Sequence, residues 1–208
     1  MLQSRLLDAA IVHFGLYGFE GASTRAIAKA SETAMSSITY HFGGKEGLYL
    51  AAAEHIARQV RERLEPLRQR IEESAATATH AEAVELLLAI TDRQAEVLLS
   101  PETEAWSRFI VREQQQPTEA FERIFQGALE PMIELILLLI ARSRPELDPA
   151  ERRAMALLLF GQPLILRIGR ATVCRVLGSD DLGARESAVL RSRLRKNVLC
   201  ILSENGDG

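Results

Sequence analysis

Apolar residues along this chain return at intervals of three and four, and the strict alternation of a half-buried strand is nearly absent. The pattern predicts an all-α protein of about nine helices, three short ones followed by six mostly longer ones. In the first helix Leu6, Ala10 and Phe14 share one face, and Gly18 is placed to end it in a left-handed cap. Ser23 can cap a short second helix carrying Ile27, Ala28 and Ala30. A break at Ser31 to Ala34 leads into a third helix reaching His41, which Gly43-Gly44 ends. Lys45-Glu46 opens a long fourth helix, kinked or interrupted near Pro66 because proline lacks the amide donor.

Ser74 to Thr79 then reads as a connector, and the helical period resumes from about Ala81 to Leu99. Ser100-Pro101-Glu102 restarts the chain with a cap, a proline in the first turn and an acid beside it. Pro117-Thr118-Glu119 restarts it again, for a helix reaching about Arg144 with a bend near Pro131. Asp148-Pro149-Ala150-Glu151 has capping-box spacing and opens a helix to about Leu177, kinked near Gly161-Gln162-Pro163. Asp181 can start the last helix, where Leu190, Leu194 and Val198 recur every fourth residue. The expected division is a helix-turn-helix domain over 1–48 and a larger helical domain over 49–208.

Composition narrows the class without choosing a function. The chain has 208 residues, 47% apolar and 25% charged, which is globular rather than disordered. Its net charge of -3 gives no argument for nucleic acid, so such an argument must rest on a local motif. The start, MLQSRLLDAAIVHF, lacks the features of a signal peptide. The longest uninterrupted apolar run, Leu135 to Ala141, is too short to span a bilayer, so no membrane role is expected. Two cysteines, Cys174 and Cys200, lie in amphipathic patterns and read as free thiols in a reducing cytoplasm.

The first three helices have the layout of a helix-turn-helix. The third is short and polar, with Met35, Ser36, Ser37, Thr39, Tyr40 and His41. A helix entering the major groove needs side chains small enough to approach base edges, hydroxyls to pair with them and methyl groups to meet thymine. Ile38 and Phe42, four apart, can face back onto Phe14 and Ile27. Tyr40 and His41 at the end of that helix can meet phosphate oxygens. The first turn of the fourth helix offers unpaired amides together with Lys45, an anion site. Thr24 and Arg25 open the second helix toward a further phosphate, or a base edge for Arg25. Taken singly each has a plainer reading: a surface aromatic, a helix-terminal histidine, a glycine stop, a solvated ion pair.

The ordered set is more specific. The stretch LLDAAIVHFGLYGFEGASTRAIAKASETAMSSITYHFGGKEGLYLAA resembles the DNA-binding domain of the tetracycline-repressor (TetR) family of bacterial regulators, without a gap from residue 5 to about 52. The resemblance rests on the apolar-Phe-Gly-Phe pattern, T-R-x-I-A and Y-H-F-x-x-K-E-x-L. It implies phosphate contacts for Thr24, Tyr40, His41 and Lys45, and base contacts for Arg25, Ser36, Ser37 and Thr39. Further along, FIVREQQQPTEAF and GQPLILRIGR are similar to a TetR subgroup with ITYHFGGKEGLY-type recognition segments, an all-helical ligand domain and a dimeric repressor. One departure stands out: Glu32-Thr33 replaces the family's usual Gly-Val in the turn. A side chain in a left-handed position costs roughly 1 kcal/mol, and Glu32 adds an acid near DNA.

Residues 1–48 hold four basic side chains (Arg5, Arg25, Lys29, Lys45) and four acidic ones (Asp8, Glu20, Glu32, Glu46). With so few free cations, a dimer's log-log salt slope should be only about -4 to -5, and useful affinity needs two half-sites. The last two helices supply the expected homodimer seam through Leu157, Leu158, Leu164, Ile168, Leu190, Leu194, Val198 and Ile201, unless these faces pack within one subunit. Trp106, Phe109, Phe121, Phe125, Met132, Phe160 and Gln162 can line a pocket for an amphipathic effector, or simply fill the core. Arg112 with Glu113, or Arg167, can anchor the effector or form a salt bridge. No catalytic set, metal-ligand spacing or phosphate-binding glycine loop is present, so neither an enzyme nor a metal or other cofactor is expected. The expected function is a ligand-responsive transcriptional regulator, a repressor that binds a double-stranded operator as a dimer. The alternative is a helical ligand-binding or protein-interaction module without DNA binding.

Overall fold

The computed structural model describes residues 2–75 and 77–203. Among them every regular element is helical, as the periodicity predicts. In chain order the α-helices are α1 (Leu2–Gly21), α2 (Thr24–Ala30), α3 (Ser36–Phe42), α4 (Lys45–Ala75), α5 (His80–Leu99) and α6 (Glu104–Gln115). They continue as α7 (Glu119–Ile124), α8 (Glu130–Ser143), α9 (Pro149–Gly161), α10 (Ile165–Ile168), α11 (Arg170–Leu177) and α12 (Ala184–Ser203). Two compact units result: one runs through Glu62 and takes in Glu102–Glu130, the other comprises Arg63–Pro101 and the described residues from Pro131 onward. The boundary expected at 48/49 falls in the first turn of α4.

The first unit is built on α1. Leu6, Ala10, Ile11 and Phe14 are buried in one cluster with Ile27, Ile38, Leu48, Ile56, Phe109 and Ile124. Phe14, Tyr49 and Phe109 form its aromatic centre, with Phe14 edge-on to Tyr49 at 4.8 Å and Tyr49 stacked on Phe109 at 4.7 Å between centroids. Gly18 takes the left-handed φ of 72° that its position suggests, yet the helix resumes and reaches Gly21. The helical backbone thus breaks at Gly18, where its position suggests, and only a short helical stretch follows the kink. The Arg112 guanidinium lies against this bend and donates to the Leu16 carbonyl at 3.4 Å.

The bend expected near Pro131 is a π-helical turn over Phe125–Leu129. Proline has no amide to give the carbonyl four residues back, so the Gly127 oxygen loses its helical partner. Arg61 Nη1 donates to that oxygen at 3.5 Å. Pro66 has a milder effect: α4 stays helical through it. In the adjacent turn the Arg63 carbonyl accepts from Arg93 Nε at 3.0 Å and Nη2 at 2.8 Å.

In the second unit the starts follow the sequence closely. Thr79 and Asp148 each form a capping box, with Glu82 and Glu151 respectively. The expected kink at Gly161-Gln162-Pro163 is a short 3-10 turn, whereas the sharp bend of 77° comes at Gly169. A Cβ on Gly169 would lie 2.4 Å from Ile165 Cδ1, the free end of an exposed side chain, and 3.2 Å from the Ile165 carbonyl oxygen. Arg144 is buried and donates to the Ile201 and Leu202 carbonyls, closing the end of α12. The helical run Glu119–Ser143 is long and apolar enough to cross a membrane by length and composition, with a mean hydropathy of 1.8. The uninterrupted-run criterion misses it because Glu130 and Glu134 break the run; Met132, Leu135, Ile136, Leu139 and Ile140 are buried in the protein.

Candidate nucleic-acid interface

Helix α2 has only seven residues and needs both ends tied. At its start the Ser23 hydroxyl accepts from the Ala26 amide at 3.4 Å. At its end the buried Ser31 hydroxyl donates to the Ile27 and Ala28 carbonyls at 3.0 and 3.1 Å. The chain then leaves α2 by a Schellman closure: Thr33 N donates to Ala28 O at 2.9 Å and Glu32 N to Lys29 O at 3.1 Å. That closure needs a left-handed residue, and Glu32 supplies it with φ of 54°. The turn thus keeps its geometry without the glycine. Its carboxylate pairs with Arg5 from α1.

Helix α3 also has seven residues and no side-chain cap at its start. It is held instead by burial of Ile38, 2% exposed, in the α1–α2 core, and by a left-handed Gly43 whose amide donates to Thr39 O at 3.0 Å. With its inward side fixed, the polar side faces solvent. Met35, Ser36, Thr39, Tyr40 and His41 are exposed, and Ser37 is half-buried. Tyr40 is 85% exposed, an unusual position for so large an aromatic side chain. His41 packs edge-on to it at 4.9 Å and its Nδ1 meets the Gln3 amide at 3.3 Å.

The next turn depends on a close approach. A Cβ on Gly47 would stand 1.8 Å from the Phe42 carbonyl oxygen, so α4 can begin this near the end of α3 only with glycine there. Lys45 is half-buried; its ammonium donates to the Glu20 carbonyl at 3.1 Å and lies 4.8 Å above the Phe19 ring. It ties α4 to the end of α1 and keeps two N–H groups for an anion. Thr24 is half-buried and Arg25 exposed at the start of α2. Among the described residues no carboxylate pairs with Arg25 or Lys29, while Arg5 is engaged by Glu32.

Behind this surface lies a polar group that residue types alone do not identify. Glu113, 2% exposed, accepts from the Tyr49 hydroxyl at one oxygen. At the other it accepts from Thr118 N and Oγ1 at 3.1 and 2.8 Å. Burial first, then the hydrogen bond to the Glu113 carboxylate, pushes the Tyr49 phenol far above its ordinary range. The network fastens α4 to the α6–α7 corner within the first unit.

The residues expected to line an effector pocket are divided between the units. Trp106 and Phe109 are core residues of the first, Phe121 and Phe125 stack there at 5.8 Å, and Arg112 is exposed on the α1 bend. Met132 is buried in the second unit, where Arg167 donates to the Leu98 and Ser100 carbonyls and so closes the end of α5. Phe160 gives its carbonyl to Gln94 Nε2 at 3.0 Å, and the buried Oε1 of Gln162 meets no donor.

The fold and this surface have clear relatives. Residues 6–52 match the family described as bacterial regulatory proteins, tetR family. Residues 83–204 match the C-terminal domain of the HTH-type transcriptional dual regulator CecR. The CecR protein of Shigella flexneri is 33% identical over 204 residues, covering 96% of this chain and 91% of that one. Among solved structures, a TetR transcriptional regulator from Chloroflexus aurantiacus aligns with TM-score 0.64 at 21% identity, over 95% of this chain and 94% of that one. FadR from Bacillus subtilis, in complex with stearoyl-CoA, aligns with TM-score 0.61 at 16% identity, over 96% and 97%. By its N-terminal domain, its CecR-type C-terminal domain and its near-complete alignment with a curated relative, this chain belongs to the tetR family of bacterial regulatory proteins, and it is a DNA-binding transcriptional regulator.

Proposed function

We propose that this protein is a cytoplasmic repressor that binds a pseudo-palindromic operator as a homodimer and leaves it when a small amphipathic effector binds. The observation that carries the reading is the solvent-facing polar side of α3, braced from behind by Ile38. Met35, Ser36, Ser37, Thr39 and Arg25 read bases, while Thr24, Tyr40, His41 and Lys45 hold phosphates. The functional division is a DNA-binding domain over 1–48 and an effector and dimer domain over 49–208, of the subgroup with the ITYHFGGKEGLY-type segment.

Exposed apolar side chains support the dimer. Leu157, Leu158, Ile165 and Ile168 are 58%, 66%, 52% and 60% exposed, and Val189 on α12 is 57% exposed. A monomer rarely leaves so many large apolar groups in water, and covering them with a second copy removes the cost. Leu194 and Val198 are buried within the subunit, so the seam shifts to the other side of α12. The effector reading draws on Phe160, Gln162 and the remaining aromatic set, and on the acyl-CoA named for the Bacillus subtilis relative. Switching a 99:1 population needs about 10⁴-fold tighter effector binding to the DNA-incompatible shape, about 5.5 kcal/mol.

The test is fluorescence anisotropy with the gene's own upstream DNA at two salt concentrations. Lys45→Ala and Tyr40→Phe should weaken binding to all duplexes alike; Thr39→Ala and Ser37→Ala should change preference among sequences. A parent protein with no saturable, sequence-dependent binding would refute the reading and leave a ligand-binding module without DNA contact.

A further inference from the structure

The second unit contains an open cleft of about 800 Å³ between α4, α5 and α12. That volume is in the range of small-molecule sites. Its floor is apolar: Leu86, Leu88, Ala95 and Leu194 line it and are buried. Its rim carries three arginines and three carboxylates, Glu82, Glu85 and Asp92. Arg191 grips Asp92 with Nε at 2.7 Å and Nη2 at 2.5 Å. Arg195 reaches Glu85 at 3.1 Å. Glu82 is spent on the Thr79 amide and hydroxyl, both at 2.8 Å. The Thr91 hydroxyl is satisfied by the Leu87 carbonyl at 3.0 Å. One rim cation is left without a carboxylate, while the Glu82 charge is held by the two Thr79 donors. Arg70 on α4 pairs with no carboxylate among the described residues, and it also borders a second, smaller cleft of about 390 Å³.

We propose that this cleft binds an amphipathic molecule with an apolar body and a single carboxylate, the body on the leucine floor and the carboxylate on Arg70. The pairing of the other charges sets the class. A cation would face Arg70. A polyanion, such as an acyl thioester carrying several phosphates, would bring its further charges against Glu85 and Asp92. A neutral lipid would gain the floor but leave the guanidinium unmatched. The inference rests on the reading of this chain as a ligand-responsive regulator, and it adds a site whose wall belongs to α4, the helix that begins at Lys45 beside α3.

Isothermal titration of the full chain with dodecanoate, and with 1-dodecanol as the uncharged control, tests it. One dodecanoate should bind per chain. Arg70→Ala should weaken dodecanoate by about three- to tenfold, between an exposed ion pair and a charge-assisted hydrogen bond, and leave dodecanol unchanged. Arg70→Lys should keep most of the affinity, and Ala89→Trp, which fills the cleft from α5, should abolish it. Absence of saturable dodecanoate binding overturns the inference. So does binding that is indifferent to both Arg70→Ala and Ala89→Trp, or an Arg70→Ala loss that is equal for acid and alcohol. Anisotropy on upstream DNA separates the two readings: a parent chain that binds dodecanoate in this cleft but no DNA supports the cleft and removes the repressor.

Discussion

Glu32 sets a measurable limit on DNA affinity, and two properties of one side chain allow the limit to be dissected. The first is conformational. With φ of 54°, Glu32 occupies the left-handed position of a Schellman closure, where a side chain costs about 1 kcal/mol relative to glycine. The second is electrostatic. Its carboxylate pairs with Arg5, one of four basic side chains in residues 1–48. Glu32→Ala and Glu32→Gly both delete the ion pair, but only glycine relieves the backbone. Glu32→Gly should therefore be about 1 kcal/mol more stable than Glu32→Ala, or roughly 2 to 4 °C in Tm for a chain of this size. The pair itself is solvent-exposed on both sides, 53% and 78%, so its loss should cost at most about 1 kcal/mol. Both variants free Arg5 for a phosphate. If each subunit gains one contact, the log-log salt slope of a dimer should steepen by about 2. Anisotropy titrations from low to moderate salt read the slope, and adding Arg5→Ala to Glu32→Ala should restore the parent value. Equal stability of the alanine and glycine variants, or an unchanged slope, would show that the turn or the ion pair has been misjudged.

Other substitutions probe the supports behind the interface. Gly47→Ala places a Cβ 1.8 Å from a backbone oxygen, which cannot move without opening the α3–α4 turn, so it should exceed the ordinary overpacking cost of about 1–3 kcal/mol in urea denaturation and abolish DNA binding. Tyr49→Phe should cost about 1–2 kcal/mol, Glu113→Ala more because it strands a buried hydroxyl, and a double-mutant cycle should show coupling between them. The folded-state pKa of Tyr49 is raised, so its contribution is fully present below the ordinary phenol pKa near 10 and fades as pH rises toward the folded value. In tyrosinate absorbance at high pH, one of the three tyrosines should therefore ionise only with unfolding. Asp92 behaves oppositely: the hydrogen bond from Arg191 lowers its pKa, so its contribution is present above the ordinary carboxylate value and is lost as pH falls through the folded one. Asp92→Asn should flatten the acid limb of stability below the ordinary carboxylate range.

Much of the interface was legible before any coordinates. Ser23, Gly43 and the Asp148 start act through neighbours within a few residues, so their sequence context carries most of the information. The polar side of α3 was readable for a related reason: Ile38 and Phe42 recur at the helical period, and what they leave is the outward side. Other features were not readable. Gly18 breaks the helical backbone where the sequence places a stop, but the packing of Arg112, 94 residues later, against that kink has no local signal. Trp106 and Phe109 fit a pocket or a core by residue type, since an aromatic side chain suits either place, and the structure buries both in the cluster of the first unit. Arg167 looked like an effector anchor and closes a helix end. Gly47 lay inside the recognised Y-H-F-x-x-K-E-x-L block, yet its role needs the distance to Phe42.

The sequence alone determined that the protein is helical, where most of its helices begin, and that its third helix offers hydroxyls and rings at a glycine-closed end. Those properties follow from period, propensity and capping, all of which act over a turn or two. Only the tertiary structure decided which partners the charges take. Arg5 reaches Glu32, Glu113 reaches Tyr49, and Arg191 reaches Asp92, 27, 64 and 99 residues apart. Coulombic and hydrogen-bond energies depend on distances of a few ångström, and for such pairs the packing of helices sets those distances rather than the order of residues along the chain.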